Sequence, residues 1–260
     1  MPAHDLDLLT DAARAAGDIA RGFFEGANRV WDKADGGPVG EADIAVDTYL
    51  RETLTAARPD YGWLSEETED DPARLSARRL FVVDPIDGTR AFIAGEATWS
   101  HSIAVVEDGV VKAGVVYLPI KDRLFSARLG HGAELNGRPL AASAATRETG
   151  ARILAARPAL DDSHWAGGAP PVHRHFRPSL AYRLSLVGEG RFDGMLTLRD
   201  AWEWDIAAGS LIAAEGGAEV TDRTGAALRF NNRHPVTPGV IAAPHALHAA
   251  LLERLLVRPL

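Results

Sequence analysis

The chain has no cysteine in its 260 residues. Disulfides and thiolate metal sites are excluded, so any metal must sit on oxygen or imidazole. Positive charge is also short: 28 Lys and Arg stand against 36 Asp and Glu, for a formal net charge of −8. That balance gives no broad attraction to nucleic acid or to an anionic membrane. Long apolar runs are missing. No stretch approaches the roughly 18 consecutive apolar residues of a membrane span. The opening MPAHDLDLLTDAARAAGDIA lacks the basic start and apolar run of a signal peptide. These absences predict a cytoplasmic protein with neither a membrane nor a nucleic acid polymer as partner.

The residues that are present make an ordinary folded composition, 46% hydrophobic and 25% charged, long enough for a core without covalent staples. Leu6, Leu9, Ala13, Ala16, Ile19 and Phe23 recur at helical spacing. A break at 36–38 precedes a second helix over 41–58, with Val46, Leu50 and Leu54 on one stripe and Pro59 ending it. Strands are predicted over 61–64, 79–84, 102–106 and 110–117, with a hairpin turn at 107–109 and another tight turn at Asn136-Gly137. Beyond residue 140 the rhythm changes. A strand over 152–155 leads into a Gly/Pro loop through 167–171. Helices over 180–187, 205–215 and 245–256 then alternate with extended segments over 192–196, 218–221 and 240–242. The pattern predicts layered α/β packing, divided into domains 1–140 and 141–260.

Four acidic places stand out. Asp43 and Asp47 lie four apart on the second helix, Glu66-Glu67-Thr68 follows a strand, and Asp84-Pro85-Ile86-Asp87-Gly88-Thr89 follows the apolar run RLFVVD. Asp205, between Trp204 and the small residues Ala207, Ala208 and Gly209, opens a helix. In the hexapeptide the strand delivers Asp84, Pro85 fixes φ, Gly88 lets a ligand approach the backbone, and Thr89 is placed to cap a helix over 90–94. Amides at such a helix start are a natural phosphate cradle. Asp205 reads either as a helix cap or as a ligand brought from the second half of the chain. Two carboxylates about 4 Å apart repel by roughly 4 kcal/mol at an effective dielectric near 20. Either these acids are scattered over the surface, or they surround a hard cation such as Mg²⁺.

Together KADGGPVGEADIAVD, WLSEET, DPIDGTRAF and WEWDIAAG, in that order, resemble the motifs of the inositol monophosphatase superfamily of Mg²⁺-dependent, lithium-sensitive phosphatases. The resemblance implies an αβαβα sandwich in which Asp205 comes from the second domain. It implies two or three Mg²⁺ ions: Glu66, Asp84 and the carbonyl of Ile86 on the first, Asp84, Asp87 and Asp205 on the second, and Glu66 on a weaker third. It also implies that Asp43 and Thr89 activate the attacking water, with Glu66 among the catalytic acids. The amides of Gly88 and Thr89, beside Asp87, would bind the phosphate, and Glu67 would orient its neighbours. Monomers and homodimers both occur in this pattern.

The Lys33-Ala34-Asp35 segment and Leu64-Ser65-Glu66-Glu67 look more like the bacterial 3′(2′),5′-bisphosphate nucleotidase branch. Arg177-Pro178-Ser179-Leu180-Ala181 replaces the Gly-(Ser/Thr)-Ala stretch usual in inositol phosphatases. The expected activity is therefore hydrolysis of 3′-phosphoadenosine 5′-phosphate, with an inositol-1-monophosphatase or another sugar-phosphate phosphatase as the alternative. A rival of another class is a cation-binding scaffold without catalysis. An aspartyl-phosphate mechanism is disfavoured, because two residues separate Asp84 from Asp87 where dehalogenase-type phosphatases have one. His164, His173 and His175 lie in the Gly/Pro loop at a spacing that matches no zinc pattern. Arg177, Tyr182 and Arg183 are candidates for substrate contact, or else plain surface residues.

Overall fold

The computed structural model describes residues 4–33 and 37–256. Ala34 and Asp35, part of the early segment read above, and Gly36 of the break lie outside the described residues. Helix α1 (Asp5–Phe24) is followed by the hairpin β1 (Val30–Asp32) and β2 (Pro38–Gly40), then by α2 (Glu41–Ala57). A seven-stranded sheet comes next: β3 (Gly62–Ser65), β4 (Arg79–Asp87), β5 (Ser100–Glu107), β6 (Val110–Leu118), β7 (Arg123–Arg128), β8 (Ala133–Leu135) and β9 (Arg138–Pro139), paired in that order. The short helix α3 (Thr89–Ile93) joins β4 to β5.

The second sheet holds β10 (Arg152–Ala155), β11 (His173–His175), β12 (Gly194–Thr197), β14 (Glu219–Thr221) and β16 (Val240–Ala243), in the order β11-β10-β12-β16-β14. Helices α4 (Leu180–Gly188), α5 (Glu203–Glu215) and α6 (His245–Arg254) complete the chain, with β13 (Ala201–Trp202) and β15 (Val236–Thr237) forming a small ribbon.

The layering follows from strand alternation, since successive side chains point to opposite faces. Phe81 and Val83 face α1 and α2, sharing a core with Leu9, Ala13, Val46 and Leu50. Leu80 and Val82 face the other way, onto α4 and α5, with Leu184, Ile206 and Ile212. Met195 and Ala242 close that middle layer from the second sheet. Ile153, Leu196 and Ile241 pack on its far side against Leu247 and Leu251 of α6. The result is the αβαβα sandwich expected from the sequence.

Close helix packing explains the small residues after Asp205. A Cβ on Gly209 would lie 2.9 Å from the Ala181 carbonyl oxygen, so α4 and α5 cross in near backbone contact. A Cβ on Gly114 would similarly meet Ala208 Cα at 2.9 Å.

Several short strands escape the sequence reading, among them the hairpin β1/β2, the segments β7 to β9, and β11. The Gly/Pro loop expected around His173 and His175 contains β11, an exposed edge strand parallel to β10. His164 lies apart from it in a single 3₁₀ turn. These strands are short or largely exposed, and carry no run of apolar residues long enough to announce them.

Candidate active site

The end of β4 is irregular where the chemistry-bearing residues stand. Asp84 pairs with Ser102 and Asp87 with Ser100, so three steps on β4 match two on β5. This is a one-residue β-bulge. In a regular strand, residues three apart point to opposite faces. The extra residue resets the alternation. Ile86 joins the α1/α2 core, while the Asp87 carboxylate reaches α4. Asp84 and Asp87 therefore face the same layer.

His101 on β5 braces the bulge from below through a hydrogen bond from Nδ1 to the Pro85 carbonyl oxygen. The ring is fully buried, and burial pushes its pKa down to about 4, so it is neutral and Nδ1 carries the proton.

Glu66, Asp84 and Asp205 bring one carboxylate oxygen each within 4.8 Å of one another. Glu66 follows β3, its amide still bonded to the Val83 carbonyl of β4 at 3.2 Å. Asp84 is 1% exposed and accepts from the Ile86 amide at 2.9 Å. Asp205 is the third residue of α5, whose cap is Trp202, so the helix-cap reading of Asp205 does not hold. The first turn of α5 is tied to β5 by the Ser102 hydroxyl, which donates to the Trp204 carbonyl at 2.9 Å. Asp84 and Asp205 are both held well above the usual carboxylate range, first by burial and then by their acidic neighbours.

Asp87 lies next to this trio, close enough to raise both Asp84 and Asp205. Its own carboxylate is bound by the start of α4. The Ser179 hydroxyl and Ala181 amide donate to Oδ2 at 2.6 and 2.7 Å, and the Leu180 amide to Oδ1 at 3.2 Å. Burial nevertheless lifts its pKa to about 6.

Thr89 is the first residue of α3, and Gly88, with φ of 104°, takes the cap position assigned to Thr89 from sequence. The Thr89 hydroxyl instead lies 3.3 Å from Asp43 Oδ1 and 3.2 Å from the Ile86 carbonyl oxygen. Asp43 is 1% exposed, accepts from the Gly40 amide at 2.9 Å, and is raised by burial to about 6.

Asp47, paired with Asp43 by sequence spacing, has a separate task. It accepts from the hydroxyls of Ser65 and Thr68 and so fixes the turn that presents Glu66 and Glu67. Lys33 Nζ donates to Glu66 Oε1 at 2.9 Å and to Glu67 Oε1 at 2.7 Å. Burial lifts Glu67 to about 7 against the pull of that ammonium. Ser65, Ser179 and His101 contribute to the site without a signal in the sequence, because each acts on a partner distant along the chain.

Tyr182 is buried and Arg177 is partly exposed. Arg183 is buried, with Nε donating to the Arg177 carbonyl and its charge facing Asp87.

The donor set fits a hard cation. It is all oxygen, and its members raise one another's pKa, the repulsion that bound positive charge relieves. Convergent carboxylates beside a Thr hydroxyl, on this five-layer fold, form a site able to hold a hard cation.

Comparison with known proteins specifies the family. The sequence profile of the inositol monophosphatase family matches residues 3–257. The inositol-1-monophosphatase of Rhizobium meliloti (strain 1021) is 33% identical over 267 positions, covering 98% of this chain and 97% of that protein. The 3′(2′),5′-bisphosphate nucleotidase CysQ of Escherichia coli (strain K12) is 32% identical, covering 90% and 97% respectively. The solved structure of an inositol monophosphatase from Thermotoga maritima superposes with a TM-score of 0.81 at 27% identity, covering 96% of this chain and 95% of that one. The chain belongs to the inositol monophosphatase family, whose members are hydrolases of phosphate monoesters.

Proposed function

We propose that the enzyme acts on a small phosphorylated metabolite at the Asp84–Thr89 turn, and that the substrate is 3′-phosphoadenosine 5′-phosphate, cleaved to AMP and phosphate. The observation that carries the chemistry is the approach of Glu66, Asp84 and Asp205 to within 4.8 Å. Glu66, Asp84 and the Ile86 carbonyl would hold one Mg²⁺. Asp84, Asp87 and Asp205 would hold a second, and Glu66 would reach a third. When bound, the ions supply Lewis acidity and offset the negative charge of both acids and phosphate.

The chain's own groups do the rest. Asp43, at about 6, is ionised at neutral pH and takes the proton from the attacking water. The Thr89 hydroxyl, between Asp43 and the Ile86 carbonyl, orients that water. The turn at Gly88 and Thr89 offers backbone amides to the phosphate, and Glu67 steadies Glu66 through the shared Lys33 ammonium. Asp84 and Asp87 accept hydrogen bonds from Ile86 and from α4, an arrangement suited to ligands rather than to a nucleophile.

For the substrate, support comes from the 177–181 segment. The Ser179 hydroxyl and the Leu180 and Ala181 amides are committed to Asp87 and are not free to bind a polyol ring. The second reading, inositol-1-monophosphatase, draws on the Rhizobium relative. Phosphate release with and without Mg²⁺, comparing the nucleotide and inositol 1-phosphate at equal concentration, decides between them. Mg²⁺-dependent preference for the nucleotide is expected. Preference for inositol 1-phosphate would overturn the substrate and keep the mechanism.

A further inference from the structure

A cavity of about 770 Å³ adjoins the catalytic turn. Arg90 and Ala91 in its wall directly follow Thr89, while Arg177 and Pro178 directly precede Ser179, the residue that holds Asp87. Its charge is opposite to that of the chain as a whole. Arg90, Lys121, Arg123, Arg177 and Arg191 line it against a single carboxylate, Glu96. Arg123 pairs with Glu189 outside the cavity at 2.5 Å. Among the described residues, Arg90, Lys121, Arg177 and Arg191 have no carboxylate within ion-pair distance. Two polar atoms of the lining residues, Thr98 Oγ1 and Arg123 Nε, are buried without a hydrogen-bond partner.

The wall also carries aromatic surface. Phe176 is 47% exposed, and the buried Tyr182 also lines the cavity. Arg183 fixes this segment: its guanidinium lies over the Phe176 ring at 4.4 Å and donates to the carbonyls of Arg177 and Pro178. The volume falls within the roughly 300–1,000 Å³ of small-molecule sites. Unneutralised guanidinium groups suit phosphate, and an exposed ring suits a nucleobase.

We propose that this cavity binds the second, uncleaved phosphate of a nucleoside bisphosphate and so selects doubly phosphorylated substrates. The proposal rests on the phosphatase site described above and adds the group that recognises the far end of the substrate. The double variant Lys121→Ala/Arg191→Ala tests it, since both side chains are exposed and remote from the core.

Calorimetric titration is done in metal-free buffer, where the carboxylate cluster repels phosphate. Adenosine 5′-monophosphate should bind the wild-type protein about tenfold or more tighter than adenosine, and the variant should lose about tenfold of that affinity. With Mg²⁺ present, the ratio of kcat/KM for 3′-phosphoadenosine 5′-phosphate over adenosine 3′-monophosphate should fall by a similar factor, mainly through KM. Equal binding of the monophosphate and adenosine, or an unchanged ratio in the variant, would overturn the proposal. Failure of the phosphatase reading gives a different result: no Mg²⁺-dependent phosphate release from any ester.

Discussion

The carboxylate cluster and the cationic cavity are neighbours made in opposite ways. The acids stand on stiff supports: the end of β3, the bulge of β4, and the first turns of α2 and α5. Backbone and hydroxyl donors fix Asp43, Asp84 and Asp87, as Ile86 does for Asp84 and α4 for Asp87. The cations are long side chains, several of them exposed, gathered from four separate stretches of chain. A metal ion tolerates little error in ligand position, whereas recognition of a peripheral anion needs charge more than fixed geometry. The molecule places rigidity at the reacting centre and adaptability beside it.

The sharpest way to break this contrast is Asp84→Asn. Activity should be abolished, because the proposed metal assignment places Asp84 on both ions. Without metal, the variant should be more stable than the parent by about 0.5–2 kcal/mol, since a buried repulsion has been removed. Thermal melts with and without Mg²⁺ check this, and an apo melt lower than wild type would contradict it. Ser179→Ala comes next. It leaves the acids in place but loosens Asp87, and kcat should fall about 10–100-fold, the usual loss when a metal ligand's own partner is removed. Mg²⁺-activation curves should show a matching weaker affinity.

Gly209→Ala tests the scaffold on which the acids stand. The new methyl would meet the Ala181 carbonyl oxygen at 2.9 Å, and overpacking of this kind costs about 1–3 kcal/mol. A urea titration reads it directly.

The smallest expected effect is on pH. Asp43 and Asp87 stand at about 6, and Glu67 at about 7, all raised first by burial. A carboxyl raised on folding contributes stability that is complete below its unfolded value of about 4 and lost as pH rises through the folded value. The metal-free melting temperature should therefore decline between about pH 4 and 7. Saturating Mg²⁺ should flatten or reverse the slope, and a flat metal-free profile would show that burial does not raise these carboxyls.

Much of this was legible in the sequence. RLFVVD announced a buried strand, and the acids after it announced a site, because local rules govern both. Helical spacing gave α1 and α2 nearly to their ends. The rest was hidden by distance along the chain. Asp47 looks like a partner of Asp43, but its task depends on Ser65 and Thr68, 18 and 21 residues away. Ser179 stands in the sequence only as part of the 177–181 segment, and its hold on Asp87, 92 residues earlier, is set by the fold. The cavity has no motif at all, since its cations share no segment and only the folded chain collects them.

The bulge at Pro85 and Ile86 makes the catalytic turn sensitive to counting. Side-chain direction along a strand has only two values, and one added or removed residue exchanges them. Removing Ile86 would turn the Asp87 carboxylate toward the α1/α2 layer, away from the helix that holds it, with every chemical group of the site still encoded. At this point an insertion or deletion is more damaging than most substitutions, and recombination or loop grafting across β4 must preserve the interval between the two aspartates.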